Sequence, residues 1–250
     1  MPIENNQYIH NVEKKFPKTS RGFSLLEMAI VLAIVGLLMA GLIPSISSQI
    51  DQQHRSETRK LMDEIKDSLY GFAITTGHLP CPASQVSGIE DRNSSTSACN
   101  SRVGFLPWAT LGVNQTDGWG RLFRYSATPA FTAASSVFSI STAADITIQN
   151  LDGSSLSVAN DIPVAIVSHG ANGIYGTMAS GGTMSTTSPT SYSNVLHQQN
   201  NVDGSGNGRI FFSADITART ASNDEDFDDQ VGWISKNILI NRMVTAGKLP

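Results

Sequence analysis

Cysteine is scarce in this 250-residue chain, which contains only Cys81 and Cys99. A structural zinc site needs about four ligands, and His78 is the only imidazole near these two residues. Pro80 and Pro82 flank Cys81 and add no ligand. The sequence therefore argues against a cysteine-based metal site, and it leaves a disulfide or two buried thiols as the alternatives.

The chain also lacks the features of two common function classes. Its net charge is −4, and Arg102, Arg121 and Arg124 are scattered, so no basic or aromatic platform for nucleic acid is visible. No G-x-S-x-G elbow occurs. Ser168 and His169 are adjacent, and neighbouring strand residues point to opposite faces, so they cannot act together as nucleophile and base. We therefore expect neither nucleic-acid binding nor catalysis. A membrane-anchored periplasmic enzyme is the alternative hypothesis.

A long apolar run is present near the N-terminus, where Phe23 to Ile43 reads FSLLEMAIVLAIVGLLMAGLI. As a helix rising about 1.5 Å per residue, this run would span roughly the 30 Å of a bilayer's hydrocarbon core. Glu27 is its only charge. An ionised carboxylate in hydrocarbon costs several kcal/mol unless it finds a partner, so we expect Glu27 to have a function.

Charge is divided unevenly about this run. Residues 1–22 have a net charge of +2, so the remainder of the chain has −6; the charged residues of the first segment are Glu4, Glu13, Lys14, Lys15, Lys18 and Arg21. Basic residues before an apolar span keep the N-terminus in the cytoplasm, which places the rest of the chain on the exported side. Oxidising conditions there allow Cys81 and Cys99 to pair, which would stabilise the fold by about 3 kcal/mol in the chain-entropy model.

The junction Arg21-Gly22 followed by Phe23-Ser24-Leu25-Leu26-Glu27 resembles the leader and cleavage site of type IV prepilins and type II secretion pseudopilins. The resemblance implies that prepilin peptidase cuts after Gly22 and methylates the new N-terminus at Phe23. It also implies that Glu27 meets the N-terminal amine of a neighbouring subunit and sets the register of the fibre. A plain uncleaved anchor and an ordinary secretory signal are the alternatives, although a signal has an apolar region of only about 7–15 residues.

The same resemblance implies the partners and the location of the protein. It predicts other pilin or pseudopilin subunits, an inner-membrane assembly platform and the membrane as partners. The precursor would cross the inner membrane once, with its head in the periplasm, before it enters a fibre. Pilus, pseudopilus and DNA-uptake fibre share this junction. A minor or tip pilin with an adhesive or receptor role is the alternative, favoured by the Ser/Thr/Gly-rich stretch 177–208.

Helical periodicity continues beyond Pro44. Apolar residues recur at spacings of three and four through Ile65, Leu69 and Ala73, while the opposite face is charged. With Gly77 and Pro80 ending it, the pattern predicts one helix of about 50 residues, loosened at Gly36, Gly41 and Pro44. We divide the chain into a leader at 1–22, a transmembrane helix at 23–44, an amphipathic helix at 45–76 and a periplasmic head at 77–250.

The head is predicted to be α+β and pilin-like, with the long helix packed on an antiparallel sheet. An Asp117-Gly118 turn precedes an alternating strand at 122–125. Further strands are predicted at 137–141, 146–149, 156–158, 162–167 and 209–213. Ser235 would cap a C-terminal helix that ends at Gly247. The runs 117–120 and 168–173 are similar to a D-x-W-G turn and a post-strand turn of pseudopilins.

Calcium is the one candidate cofactor. The acidic run resembles, by its place after the central sheet, the C-terminal calcium loop of major pseudopilins; its residues are Asp224, Glu225, Asp226, Asp228 and Asp229. A solvated acidic loop is the alternative. A second run, 203–208, matches the start of an EF-hand loop, but Ala214 stands where the bidentate carboxylate is needed, so we interpret it as a Gly-rich turn.

Overall fold

We describe the protein from a computed structural model, in residues 22–135, 137–150, 157–184, 201–202, 208–213 and 227–249. The chain divides into two compact units, Met1–Ser48 and Gln49–Pro250. The structure is α+β, with a long N-terminal helix and largely antiparallel sheets, as predicted. The domain boundaries proposed above stay predictions.

Helix α1 is a single helix of 52 residues, Leu25–Thr76. Its second half buries the predicted apolar stripe, including Ile65, Leu69 and Ala73, and leaves most of its charged residues in solvent. Arg55 is the exception, because it is buried and pairs with Asp51. Gly77 follows the helix with φ +85°, a conformation that suits glycine at a helix end. The backbone is helical throughout this range, so the loosening expected at the glycines and proline stays a prediction.

The first sheet has four antiparallel strands in the order β1-β2-β5-β7, with the ranges Val103–Phe105, Arg124–Ala127, Val164–Ser168 and Gln230–Ile234. Every residue of β5 is buried. Val164 and Ile166 belong to a core shared with α1, whereas Ala165 and Val167 belong to a core shared with the second sheet. Because both faces of β5 are covered, its sequence is apolar from Val164 to Val167.

The second sheet has three strands in the order β4-β3-β6, with the ranges Ser157–Ile162, Ile146–Asn150 and Ile210–Ser213. Strands β3 and β4 are antiparallel, but β3 and β6 are parallel. The β3–β6 pair therefore departs from the predicted antiparallel pairing. Parallel neighbours need a long connection, and residues 151–209 provide one.

Several strand predictions need correction. Residues 137–141 form no strand, because a turn closes between Ser139 and Thr142. Phe138 is the one buried residue of this segment, and the centroid of its ring lies 4.8 Å from that of Phe131. The predicted strand 162–167 is divided at Pro163, which has no N–H for a ladder, between β4 and β5. Strands β1 and β7 were not predicted, because each is interrupted by a glycine, which strands disfavour.

The described residues also include the helices α2 at Trp108–Leu111, α3 at Pro129–Thr132 and α4 at Lys236–Thr245. Helix α4 is the predicted C-terminal helix, and Leu239 and Met243 bury its apolar face in the core of α1. Ser235 occupies the N-cap position, but its side chain makes no capping hydrogen bond. Gly247 follows the helix with φ +69°, as its predicted end requires.

Candidate functional site

The predicted cleavage junction lies just outside α1. Gly22 and Phe23 are not helical, and Phe23 is 76% exposed. A Cβ added at Gly22 would meet nothing within 4 Å. The bond between these two residues is therefore presented in irregular, accessible backbone, which is the form in which a peptidase can bind a chain.

Ser24 caps the start of α1. Its Oγ accepts the backbone N–H of Glu27 at 3.1 Å, and its carbonyl accepts the N–H of Met28 at 3.2 Å. Ser24 thus takes the N-cap position and Glu27 the third helical position, which is the S-x-x-E pattern of a capping box. The capping-box spacing is present in the sequence, and it gives Glu27 a role within its own chain beside the predicted role in assembly.

The carboxylate of Glu27 has a favourable electrostatic setting even within one chain. It is exposed in the first turn of α1, where the unsatisfied N–H groups give the helix end a partial positive charge. A negative side chain there is typically worth 0.3–1 kcal/mol. Glu27 therefore stabilises the helix start that follows the junction.

Around the first turns, apolar side chains are exposed on every face of the helix. All residues from Gly22 to Leu38 are exposed, with Leu25 at 93%. Among the described residues, no helix is both long and apolar enough to cross a membrane.

Residues 17–43 match the family model of the prokaryotic N-terminal methylation motif. The chain carries a prepilin-type cleavage and methylation motif. The matched range includes the Gly22-Phe23 junction, the Ser24 cap and Glu27. No curated protein and no solved structure matches the chain. The motif indicates a pilin-type structural protein, processed by prepilin peptidase and assembled with other pilin subunits, rather than an enzyme.

Later in the sequence, the head contains a buried network of hydrogen bonds around Asp117. One oxygen, Oδ1, accepts the backbone N–H groups of Trp119 and Arg121, both at 2.9 Å. The other, Oδ2, accepts the hydroxyl of Ser168 at 2.6 Å. Asp117 therefore closes its own turn and fastens that turn to the end of β5. The two runs likened to pseudopilin turns meet at this carboxylate.

The same turn docks on α1 through Gly118. Its N–H donates to Thr58 Oγ1 at 3.0 Å, and the Thr58 hydroxyl donates to the carbonyl of His54 at 2.8 Å. A Cβ at Gly118 would lie 2.6 Å from that carbonyl oxygen. Any larger residue would separate the turn from the helix, so the glycine is required by close approach.

Ser168 and His169 contact different carboxylates. Ser168 donates to Asp117, while His169 Nδ1 lies 3.5 Å from Asp229 Oδ1 with both side chains fully buried. His169 is thus a buried residue at the start of the turn that follows β5, where its carbonyl accepts the N–H of Gly173 at 3.1 Å. The two residues do not form a nucleophile and base pair in this structure.

The acidic run is only partly described. Asp224, Glu225 and Asp226 lie outside the described residues, whereas Asp228 and Asp229 are buried. Asp228 Oδ2 accepts the N–H of Asn172 at 2.6 Å, and Asp229 Oδ2 accepts the Asn201 amide at 2.9 Å. The alternative prediction, a solvated acidic loop, is therefore wrong for Asp228 and Asp229.

Burial dominates the electrostatics of Asp228. The pKa of this carboxyl is raised from 3.8 to about 6, mainly because burial disfavours its charged form. The charge of Asp229 also raises the pKa, while backbone hydrogen bonds and Arg55 lower it. Within the described ranges, no group of three or more His, Cys, Asp or Glu side chains is arranged to hold a metal ion. Calcium binding by the full run stays a prediction.

Cys81 and Cys99 are joined by a disulfide. The segment that they close is held from within: Glu90 Oε2 accepts the backbone N–H of Cys81 at 3.0 Å and the guanidinium of Arg92 at 3.1 Å. Arg92 also donates to the carbonyl of Thr132 at 2.7 Å. The loop is therefore anchored to the head, which its Ser/Gly/Asn-rich composition did not indicate.

Proposed function

We propose that this chain is a prepilin-like structural subunit of a type IV pilus or a type II secretion pseudopilus. Prepilin peptidase removes residues 1–22 and methylates Phe23, and the mature chain enters a fibre through α1. The observation that carries this proposal is the methylation motif at residues 17–43, placed on an exposed junction directly before a capped helix.

The exposed apolar surface of the first turns supports assembly. A helix that is apolar on all faces is stable only when other protein or lipid covers it. We propose that the inner membrane covers residues 23–44 in the precursor and that neighbouring copies of α1 cover them in the fibre. The single-pass topology, the periplasmic pilin-like head and the inner-membrane assembly platform belong to this proposal.

Glu27 is the proposed register residue. A carboxylate among packed apolar helices needs a partner charge, and a neighbour's methylated amine is a suitable one. Loss of one partner from such a pair leaves the other charge buried and unpaired, which is strongly destabilising. Subunits that lack Glu27 should therefore be cleaved normally but incorporated poorly.

Mass spectrometry of the membrane-extracted protein tests the processing step. We expect an N-terminus at Phe23 carrying one methyl group, and an intact Met1 in a strain that lacks the peptidase. Met1 retained in cells with active peptidase would refute the proposed processing.

Fibre incorporation tests the role of Glu27. We compare Glu27→Ala with Glu57→Ala, which removes an exposed carboxylate from the second half of the same helix. Sheared-fibre fractions should lose the first variant and keep the second. Equal incorporation of both would remove the register role from the proposal.

A further inference from the structure

The disulfide-closed segment presents a small hairpin tip to solvent. Asn93 closes this tip, because its N–H donates to the carbonyl of Ala98 at 2.8 Å and its carbonyl accepts the N–H of Ser97 at 2.9 Å. An isolated bridge between Arg92 and Cys99 holds the base of the hairpin. The residues between, 94–96, are exposed. The tip is thus a protruding loop on an anchored base.

Asn93 begins the sequence Asn-Ser-Ser at this tip, which is the Asn-x-Ser/Thr pattern of N-glycan acceptors. Its Oδ1 accepts the backbone N–H groups of Ser95 at 2.9 Å and Thr96 at 3.0 Å. Both neighbours are donors, so the oxygen end of the amide must face them and Nδ2 must lie on the other side. Within the described part of the chain, Nδ2 makes no hydrogen bond.

We propose that Asn93 is the acceptor of an N-linked glycan, added on the exported side of the membrane. The co-substrate is an oligosaccharide carried on a polyprenyl diphosphate. Nδ2 attacks C1 of the first sugar, the bond from C1 to the diphosphate oxygen breaks, polyprenyl diphosphate leaves, and Nδ2 loses one proton. The exported location rests on the proposed function, whereas the arrangement of the acceptor amide is independent of it.

A second Asn-x-Ser/Thr pattern, Asn114-Gln115-Thr116, provides an internal comparison. Asn114 is exposed, but Thr116 is held in an isolated bridge with Leu122 and directly precedes buried Asp117. A transferase that must bind the hydroxyl residue two positions after the asparagine can reach exposed Ser95 more readily than Thr116. The structure therefore favours Asn93 over Asn114.

The test is glycopeptide mass spectrometry of the full chain purified from its own bacterium. We expect a sugar mass on the peptide that contains Asn93. The mass should disappear in Asn93→Gln and in Ser95→Ala, and it should persist in Ser95→Thr and Asn114→Gln. Ser95→Ala retains the backbone N–H that Asn93 accepts, so a loss of glycan there cannot be attributed to a broken turn.

An unmodified Asn93 peptide overturns the proposal, and so does a sugar found only on Asn114 or on a hydroxyl of residues 94–97. The same spectra report the N-terminus. A mature N-terminus at Phe23 with bare Asn93 refutes this inference and leaves the proposed function intact. A retained Met1 counts against the proposed function, and a glycan on Asn93 of that chain still supports the acceptor site.

Discussion

Replacing Asp228 by Asn should stabilise the head at neutral pH. Each pKa unit corresponds to about 1.4 kcal/mol, so the rise from 3.8 to about 6 means that ionising Asp228 costs the folded state about 3 kcal/mol. An amide removes this cost, and its oxygen can still accept the N–H of Asn172. The gain at pH 7.5 should therefore approach, and not exceed, about 3 kcal/mol.

The gain should disappear in acid. The folded pKa of Asp228 lies above the unfolded value, so its protonated form stabilises the wild type below the unfolded pKa, and this stabilisation is lost as the pH rises through about 6. Urea unfolding of the full chain in mild detergent, with EDTA present, measures the difference at pH 7.5 and pH 4. Tryptophan fluorescence reports on the head alone, because Trp108, Trp119 and Trp233 all lie there.

Asp145→Asn is the matched control, because its expected change in the free energy of unfolding at pH 7.5 has the opposite sign. A hydrogen bond from the Arg102 guanidinium is the main reason that the pKa of Asp145 lies below its ordinary value, so its ionised form stabilises the fold above the unfolded pKa and this is lost as the pH falls. That variant should be less stable at pH 7.5, by an amount reduced by partial exposure. An Asp228→Asn variant that is no more stable than the wild type at pH 7.5, or whose gain in stability does not change with pH, would show that ionising Asp228 does not cost the folded state this free energy.

Four other variants can be measured in the same unfolding assay. Gly118→Ala should destabilise the head by about 1–3 kcal/mol because its Cβ would overlap a helix carbonyl, whereas Gly71→Ala, with open space around it in mid-helix, should stabilise it by about 0.5–1 kcal/mol; equal effects would contradict the docked turn. Replacing Cys81 and Cys99 together by Ser should cost about 3 kcal/mol, and an unchanged midpoint would show that the internal network alone holds the loop. Tyr125→Phe removes the hydroxyl that donates to a buried carbonyl at 3.1 Å, so we expect a loss of about 1–2 kcal/mol, and no loss would mean that water replaces the bond.

Features encoded in contiguous residues could be predicted from the sequence. The junction depends on a few neighbouring residues, α1 on a periodic apolar stripe, and β5 on an uninterrupted apolar run that both cores require. The Ser24 cap could also have been found, since Ser24 and Glu27 stand in the capping-box spacing.

Long-range polar contacts could not be predicted in this way. Asp117 and Ser168 are 51 positions apart, and no periodicity links them. Asp228 and Asp229 belong to an acidic run, so composition indicated solvent. Their burial depends on distant partners, such as Asn172 and Asn201, that the fold brings beside them. The turn at Ser139 likewise overrode a local strand preference.

The position of the Ser24 cap has a consequence for what happens when the leader is removed. Both partners of the cap, Ser24 and Glu27, lie after Gly22, so cutting there needs no refolding of the helix start. Cleavage would create a cationic amine one residue before the cap, at the end of the helix that already bears partial positive charge. The repulsion between the amine and the helix end would be offset by the carboxylate that, in the proposed fibre, an adjacent chain supplies. Proteolysis would in this way switch on the attraction that gives fibre growth its order.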